Sequence, residues 1–193
     1  MKKTLFIIIL IIIPLLNFAQ RFDGIIIFGM SASQIDGDLQ GGYNKIGANL
    51  GLNVAHKLND KFEFQTGINY IGKGARNGPK EFYYLKTQLH YFQIPVQLNR
   101  VFYKRFSLSG GLYFGYLILG RSTEMGSTFE EGDLYLRNFE PSIYLALNYH
   151  YFDKVVINFG FSYSVLPLRT QSPAWYNRVL TVTGTYRISN GKK

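Results

Sequence analysis

The chain has 193 residues, of which 47% are hydrophobic, 17% aromatic and 17% charged, and it contains no cysteine. The length fits a single domain, and the missing thiols exclude a disulfide scaffold, a thiolate metal site and a cysteine nucleophile. The formal net charge is +9, but the basic residues form no cluster of five or more, so we expect no nucleic acid partner.

The N-terminal segment has the three parts of a secretory signal peptide. A positive start, Met1–Lys3, precedes a nearly unbroken aliphatic run, Leu5–Leu16, and the small residue Ala19 offers a cleavage site. The aliphatic run is shorter than the roughly 20 residues that a membrane-spanning helix needs, which disfavours the alternative of an uncleaved anchor. We therefore predict a cleaved signal peptide over residues 1–19 and one domain over residues 20–193.

The rest of the chain alternates apolar and polar residues with a period of two, as strands with one apolar face do. In one segment, for example, Ile46, Leu50 and Val54 alternate with Asn49 and Asn53. Eight strands are predicted in this way, in chain order 22–30, 45–54, 62–70, 92–98, 106–118, 142–149, 155–164 and 180–188. No segment has a convincing helical period.

The connections between these strands alternate in length. Long segments cover residues 31–42, 74–83, 120–137 and 167–177, and short ones cover 59–60, 99–104 and 152–154. This alternation is expected of antiparallel strands when one end of the sheet carries only hairpin turns.

The polar face identifies the surroundings of the sheet. It consists mainly of Gly, Asn, Ser, Gln and Thr, which suit the crowded interior of an eight-stranded barrel, whereas a water-facing surface would carry more Lys and Glu. Aromatic residues concentrate near the strand ends, as in the girdles at two membrane interfaces; examples are Phe62, Tyr70, Tyr91, Tyr116 and Tyr149. The predicted fold is an all-β, eight-stranded, antiparallel transmembrane up-and-down β-barrel in the outer membrane.

Four segments carry a family resemblance. Gly29–Asp38, followed by Gly41–Gly47, resembles the first-loop signature of the PorT-like outer-membrane β-barrel family. Tyr70–Gly74 and Tyr91–Val96 resemble that family's third and fourth strands. The resemblance implies a bacterial outer-membrane location and a link to type IX secretion, with which the founding member is associated. The tail departs from the usual aromatic end, because Ser189–Lys193 follows Ile188.

Two sets of residues are candidates for chemistry. Asp36-Gly37-Asp38 resembles the start of a calcium loop, but the following residues supply no further ligands, so we interpret it as a turn and predict no metal site.

A lipid-modifying barrel enzyme would need a histidine base beside a serine. None of His56, His90 and His150 has a serine two positions away along its strand, so we predict no catalytic residues and no cofactor, and place these rings near the membrane interfaces.

Charged residues form two further groups. On or near the polar face they are Lys45, Lys57, Glu63, Lys73, Glu140 and Arg187. Two interpretations are open: these residues line a narrow conducting path, or they pair with one another in a plugged interior. The small size of an eight-stranded barrel favours the plugged interior. The loops of an outer-membrane barrel usually carry its binding sites. The charged residues in the predicted long loops are Glu124, Glu130, Glu131, Asp133, Arg76, Lys80 and Arg169.

The predicted function is a non-enzymatic structural or interaction role in the outer membrane. Its partners are outer-membrane lipid and proteins that contact the extracellular loops or periplasmic turns. A small porin or ligand-binding barrel is the alternative, and a lipid-modifying enzyme is the third candidate.

Overall fold

A computed structural model describes residues 22–38, 41–78, 84–130 and 133–188. The described residues form nine strands, which are β1 (Phe22–Asp36), β2 (Lys45–Lys57), β3 (Phe62–Arg76), β4 (Leu85–Tyr103), β5 (Phe106–Glu124), β6 (Ser127–Glu130), β7 (Phe139–Phe152), β8 (Val155–Ser164) and β9 (Tyr176–Ile188). The predicted signal peptide and the tail 189–193 lie outside these ranges. Within the described ranges, no helix is long and apolar enough to cross a membrane.

Eight of these strands close into an antiparallel up-and-down barrel. The order around the sheet is β4-β3-β2-β1-β9-β8-β7-β5, and pairing of β4 with β5 completes the ring. The short strand β6 pairs with β5 alone and extends it as a hairpin. Turns at 58–61, 104–105 and 153–154 mark one end of the barrel, the short-turn end, and the longer connections mark the other, the long-loop end.

The apolar rows face outward, as the sequence predicts. Leu50, Ile68, Leu145 and Phe159 are 51, 52, 60 and 53% exposed, so they form an outer surface and no shared core. Their polar neighbours along the same strands, such as Asn49 and Asn69, are buried inside the barrel. Apolar side chains therefore cover a cylinder whose interior is largely hydrophilic, which suits a bilayer and would not suit water.

Several strands are longer than predicted at the long-loop end. The sequence assigns 31–42 to a loop, but β1 continues to Asp36, and the hydroxyl of Ser31 donates a 2.6 Å hydrogen bond to the carbonyl of Gly72 inside the barrel. The predicted loops 74–83 and 120–137 likewise contain the ends of β3 and β5 and the whole of β6. Small polar residues and glycine resemble loop residues in sequence, whereas here they fill the lumen.

Tyr91 corrects the predicted aromatic girdle. The sequence places Tyr91 at a membrane interface because it precedes the predicted strand 92–98, but β4 begins at Leu85 and Tyr91 is 1% exposed. Its side chain points inward, like that of Gln93, and contacts the lumen charges described below.

Candidate functional site: the barrel interior

A buried ion pair crosses the long-loop half of the lumen. The ammonium of Lys73 on β3 lies 2.6 Å from Glu140 Oε1 on β7, and the two side chains are 0% and 1% exposed. Asn177 donates a 2.6 Å hydrogen bond to Glu140 Oε2, and the Lys73 nitrogen lies 4.8 Å from the centre of the Tyr91 ring. These contacts offset part of the cost of removing two charges from water.

An apolar layer surrounds this ion pair and closes the same half of the lumen. Leu168, from the connection between β8 and β9, is 1% exposed because it packs into this layer. The backbone holds that loop in place, since Leu168 donates to the Trp175 carbonyl at 2.7 Å and accepts from Arg137 at 2.7 Å. The layer consists of Ile35, Ile71, Ala75, Leu89, Tyr91, Leu117, Leu168 and Val179.

A cavity of about 350 Å³ occupies the short-turn half of the barrel. The turn residues Asn59, Asp60 and Asp153 line its mouth, and the side chains of Tyr113 and Tyr144 line its deeper part. The two tyrosine rings stack with their centres 4.3 Å apart. The cavity is therefore open at one end and limited by aromatic side chains near the middle of the barrel.

Hydrogen bonds between strands fix many of the cavity's polar side chains. Tyr113 donates to Gln97 Oε1 at 2.6 Å, and Gln97 donates to Gln65 Oε1 at 2.9 Å. On the other side, Asn148 donates to Ser109 at 2.6 Å and accepts from Asn158 at 2.6 Å. Such networks order side chains on neighbouring strands and hold the wall of the cavity in one arrangement.

A second ion network lies at the cavity mouth. Arg187 on β9 bonds to Asp23 on β1 and to Glu63 on β3, with nitrogen–oxygen distances of 2.8 Å in both pairs. Lys57 also lines the mouth and is exposed, whereas Lys45 is buried towards the long-loop end and donates to the Ile46 carbonyl at 2.9 Å. Four of the six predicted lumen charges are thus paired with one another, which favours a plugged interior over a conducting path.

The histidines divide between the two faces of the barrel. His56 contacts the Phe22 ring, and His90 accepts or donates a hydrogen bond with the Tyr70 hydroxyl. For His150 the predicted position near a membrane interface is wrong. Its side chain lines the cavity, and its Nε2 lies 2.9 Å from the Ser107 hydroxyl oxygen.

The Ser107–His150 contact joins neighbouring strands, β5 and β7, and therefore leaves no spacing pattern along either strand. Ser107 also accepts a 3.1 Å hydrogen bond from Asn148. The serine is thereby incorporated in the hydrogen-bonded wall of the cavity, and this supports a structural role for the pair.

The comparisons with known proteins agree with this architecture. The family model for the outer membrane protein beta-barrel domain matches residues 18–168. The chain belongs to that family. The match is to the broader barrel family, so the PorT-like resemblance stays a prediction. No curated protein matches the chain in sequence.

Solved structures show the same fold at low sequence identity. The attachment invasion locus protein Ail of Yersinia pestis is 14% identical, with a TM-score of 0.55 over 86% of this chain and 99% of Ail. Neisserial surface protein A is 11% identical, with a TM-score of 0.55 over 84% of this chain and 96% of that protein. The family and the fold place this chain in the outer membrane.

Outside the lumen of this outer-membrane barrel, Asp36 is held by an ion pair. Arg178 contacts Asp36 Oδ1 at 2.8 Å, and Gln34 donates to the same oxygen at 2.8 Å. The next residue, Gly37, has a φ of 97°, which a turn glycine adopts readily. In the part of the chain that the structure describes, no group of three or more His, Cys, Asp or Glu side chains is arranged to hold a metal ion.

The loop charges make local contacts at the long-loop end. Arg121 pairs with Glu130 across the β5–β6 hairpin at 3.2 Å, and the backbone of Glu130 donates to Asp133 at 3.2 Å. The guanidinium of Arg169 lies 4.5 Å from the centre of the Trp175 ring. Glu131 and Lys80 lie outside the described residues.

Proposed function

We propose that this protein is a non-conducting, non-enzymatic outer-membrane barrel that acts through contacts with other proteins at its long-loop end. The observation that carries the proposal is the closed half of the lumen. The Lys73–Glu140 pair and the apolar layer around it occupy the region that an ion would have to cross. An ion path through this region would require both the buried pair and Leu168 to move.

Planar-bilayer recording tests whether the barrel conducts. We expect no reproducible conductance steps from the folded protein at any of several voltages, with a general porin in the same bilayers as the positive control. Reproducible steps would instead support the alternative of a small porin.

The β5–β6 hairpin is the described segment best placed to contact a partner. Strand β6 pairs only with β5, so its second edge carries no strand among the described residues. Met125 and Phe129 on this hairpin are 72% and 40% exposed. An unpaired strand edge with exposed apolar side chains can accept a strand or a hydrophobic segment of another protein.

Cross-linking in intact cells tests this interaction role. Replacement of residues 125–130 by a short turn removes the hairpin but leaves the eight barrel strands complete. We expect a cross-linked protein seen with the wild type to disappear in this variant, while the variant still inserts. An unchanged cross-linking pattern would contradict a role for the hairpin.

The sequence resemblance supports a narrower role as a second candidate. The segments Gly29–Asp38 and Gly41–Gly47 resemble the PorT-like signature, and the founding member of that family is associated with type IX secretion. Deletion of the gene in its native host should then reduce release of type IX cargo proteins into the medium. Normal cargo release would dismiss this role and leave the general interaction role unaffected.

The third candidate, a lipid-modifying enzyme, would have to use the Ser107–His150 pair. That pair faces the cavity and not the lipid, so a lipid acyl chain in the bilayer does not reach it. We therefore expect identical lipid A mass spectra from cells with and without the protein.

A further inference from the structure

We propose that the cavity in the short-turn half binds an uncharged sugar of mono- to disaccharide size. This inference is independent of the interaction role at the other end of the barrel. Its volume of about 350 Å³ lies within the range of about 300–1,000 Å³ that is usual for small-molecule sites.

Unpartnered amide groups are the first argument for a ligand. Asn49 Oδ1, Asn69 Oδ1 and Gln93 Nε2 line the cavity and form no hydrogen bond with protein atoms. The three residues are buried, with 9%, 4% and 2% of their surface exposed. A buried polar atom left without a partner is unfavourable, so these residues favour a bound molecule that both donates and accepts hydrogen bonds.

The position of these amides defines a wall. They lie on the adjacent strands β2, β3 and β4, and Asn69 is directly paired with Gln93 in the sheet register. Two acceptors and one donor without protein partners therefore belong to one wall of the cavity. Sugar hydroxyl groups match such a wall because each hydroxyl can both donate and accept.

Apolar surfaces on other sides of the cavity match the ring of a sugar. Tyr113 and Tyr144 lie on β5 and β7, whereas Ile25 and Ile27 lie on β1, four strands from β5 around the ring. A pyranose ring presents apolar C–H groups on its two faces and hydroxyl groups around its edge. The cavity offers apolar and aromatic contacts on two walls and amides between them, which fits that distribution of polarity.

The distribution of charge selects an uncharged ligand. The charged residues that line the cavity lie in the turns or within two residues of a strand end, and Arg187 and Glu63 among them are paired. The deep part of the cavity contains amides, hydroxyls, tyrosines and aliphatic residues only. An ionised ligand there would lose its hydration without meeting an opposite charge.

Saturation-transfer NMR with the folded protein tests the proposal. The detergent should be lauryldimethylamine oxide, because it contains no sugar, and the probes are glucose, trehalose and glucose 6-phosphate. We expect saturable binding of at least one neutral sugar and weaker binding of the phosphate ester. Absence of saturable binding by both neutral sugars, or tighter binding of glucose 6-phosphate than of glucose, would overturn the proposal.

Two variants locate the binding in the cavity. Gln93→Leu removes a donor from the amide wall and should weaken sugar binding about tenfold, as should Asn49→Ala, which removes an acceptor. Gln88→Leu is the matched control on the same strand, because Gln88 does not line the cavity, and its affinity should equal that of the wild type. A heat-modifiable gel band confirms that each variant is folded. Unchanged affinity in both folded cavity variants would contradict this site.

Discussion

Burial divides the ion pairs of this barrel into two kinds. Lys73 and Glu140 are 0% and 1% exposed, whereas Arg121 and Glu130 on the hairpin are 48% and 63% exposed. Water screens the second pair and makes it weak, but the first pair can be broken only by leaving a charge inside the barrel. Removal of one partner alone is therefore the costly change.

This difference predicts the effect of removing one partner. Lys73→Met leaves Glu140 without its cation and should lower the free energy of unfolding by about 3–5 kcal/mol. The double variant Lys73→Met/Glu140→Leu removes both charges and should recover much of that loss. Urea unfolding in detergent micelles, followed by circular dichroism, measures both values.

The exposed pair supplies the control for this experiment. Arg121→Met should change the free energy of unfolding by about 0–1 kcal/mol, because water screens the pair. A Lys73→Met barrel as stable as the wild type would show that Glu140 is not left as an unpaired charge.

The two faces of a single strand lie in different environments, the lipid bilayer and the barrel interior. On β2, Leu50 faces outward and Asn49 faces the cavity, although they are neighbours in the chain. Leu50→Lys should cost about 2–4 kcal/mol of barrel stability, because it places a charge in the hydrocarbon region near mid-strand. Asn49→Ala is the matched change on the other face and should leave insertion intact, since the Asn49 carboxamide oxygen has no protein partner. Equal destabilisation by the two changes in lipid vesicles would contradict the assignment of the faces.

The faces of the strands could be predicted from the sequence, but their ends could not. Alternation is a local property of the pleated backbone, so Leu50 and Asn49 were assigned correctly from their neighbours alone. Ser31 and Ser33 have the composition of a turn, and only the barrel around them shows that they belong to a strand. Tyr91 was misplaced for the same reason, because its assignment depended on where β4 begins.

Contacts across the lumen belong to the whole molecule. Lys73 and Glu140 are 67 positions apart and lie on strands that are not neighbours in the sheet. Their meeting depends on the register of every strand between them, which no local pattern contains. The sequence therefore predicted that lumen charges pair, but not which partners meet, and it did not predict the cavity beneath them.

Closure of the ring also fixes which connections lie on the same side of the membrane. In outer-membrane barrels the short turns face the periplasm and the long loops face outward. Lys61 in the first short turn and Ser127 on the β5–β6 hairpin are both exposed, and the chain has no natural cysteine to interfere with labelling. A bulky polyethylene glycol maleimide should label Ser127→Cys on intact cells and Lys61→Cys only after the outer membrane is permeabilised. The wild type gives the background, and labelling of Lys61→Cys on intact cells would mean that the cavity opens to the outside and not to the periplasm.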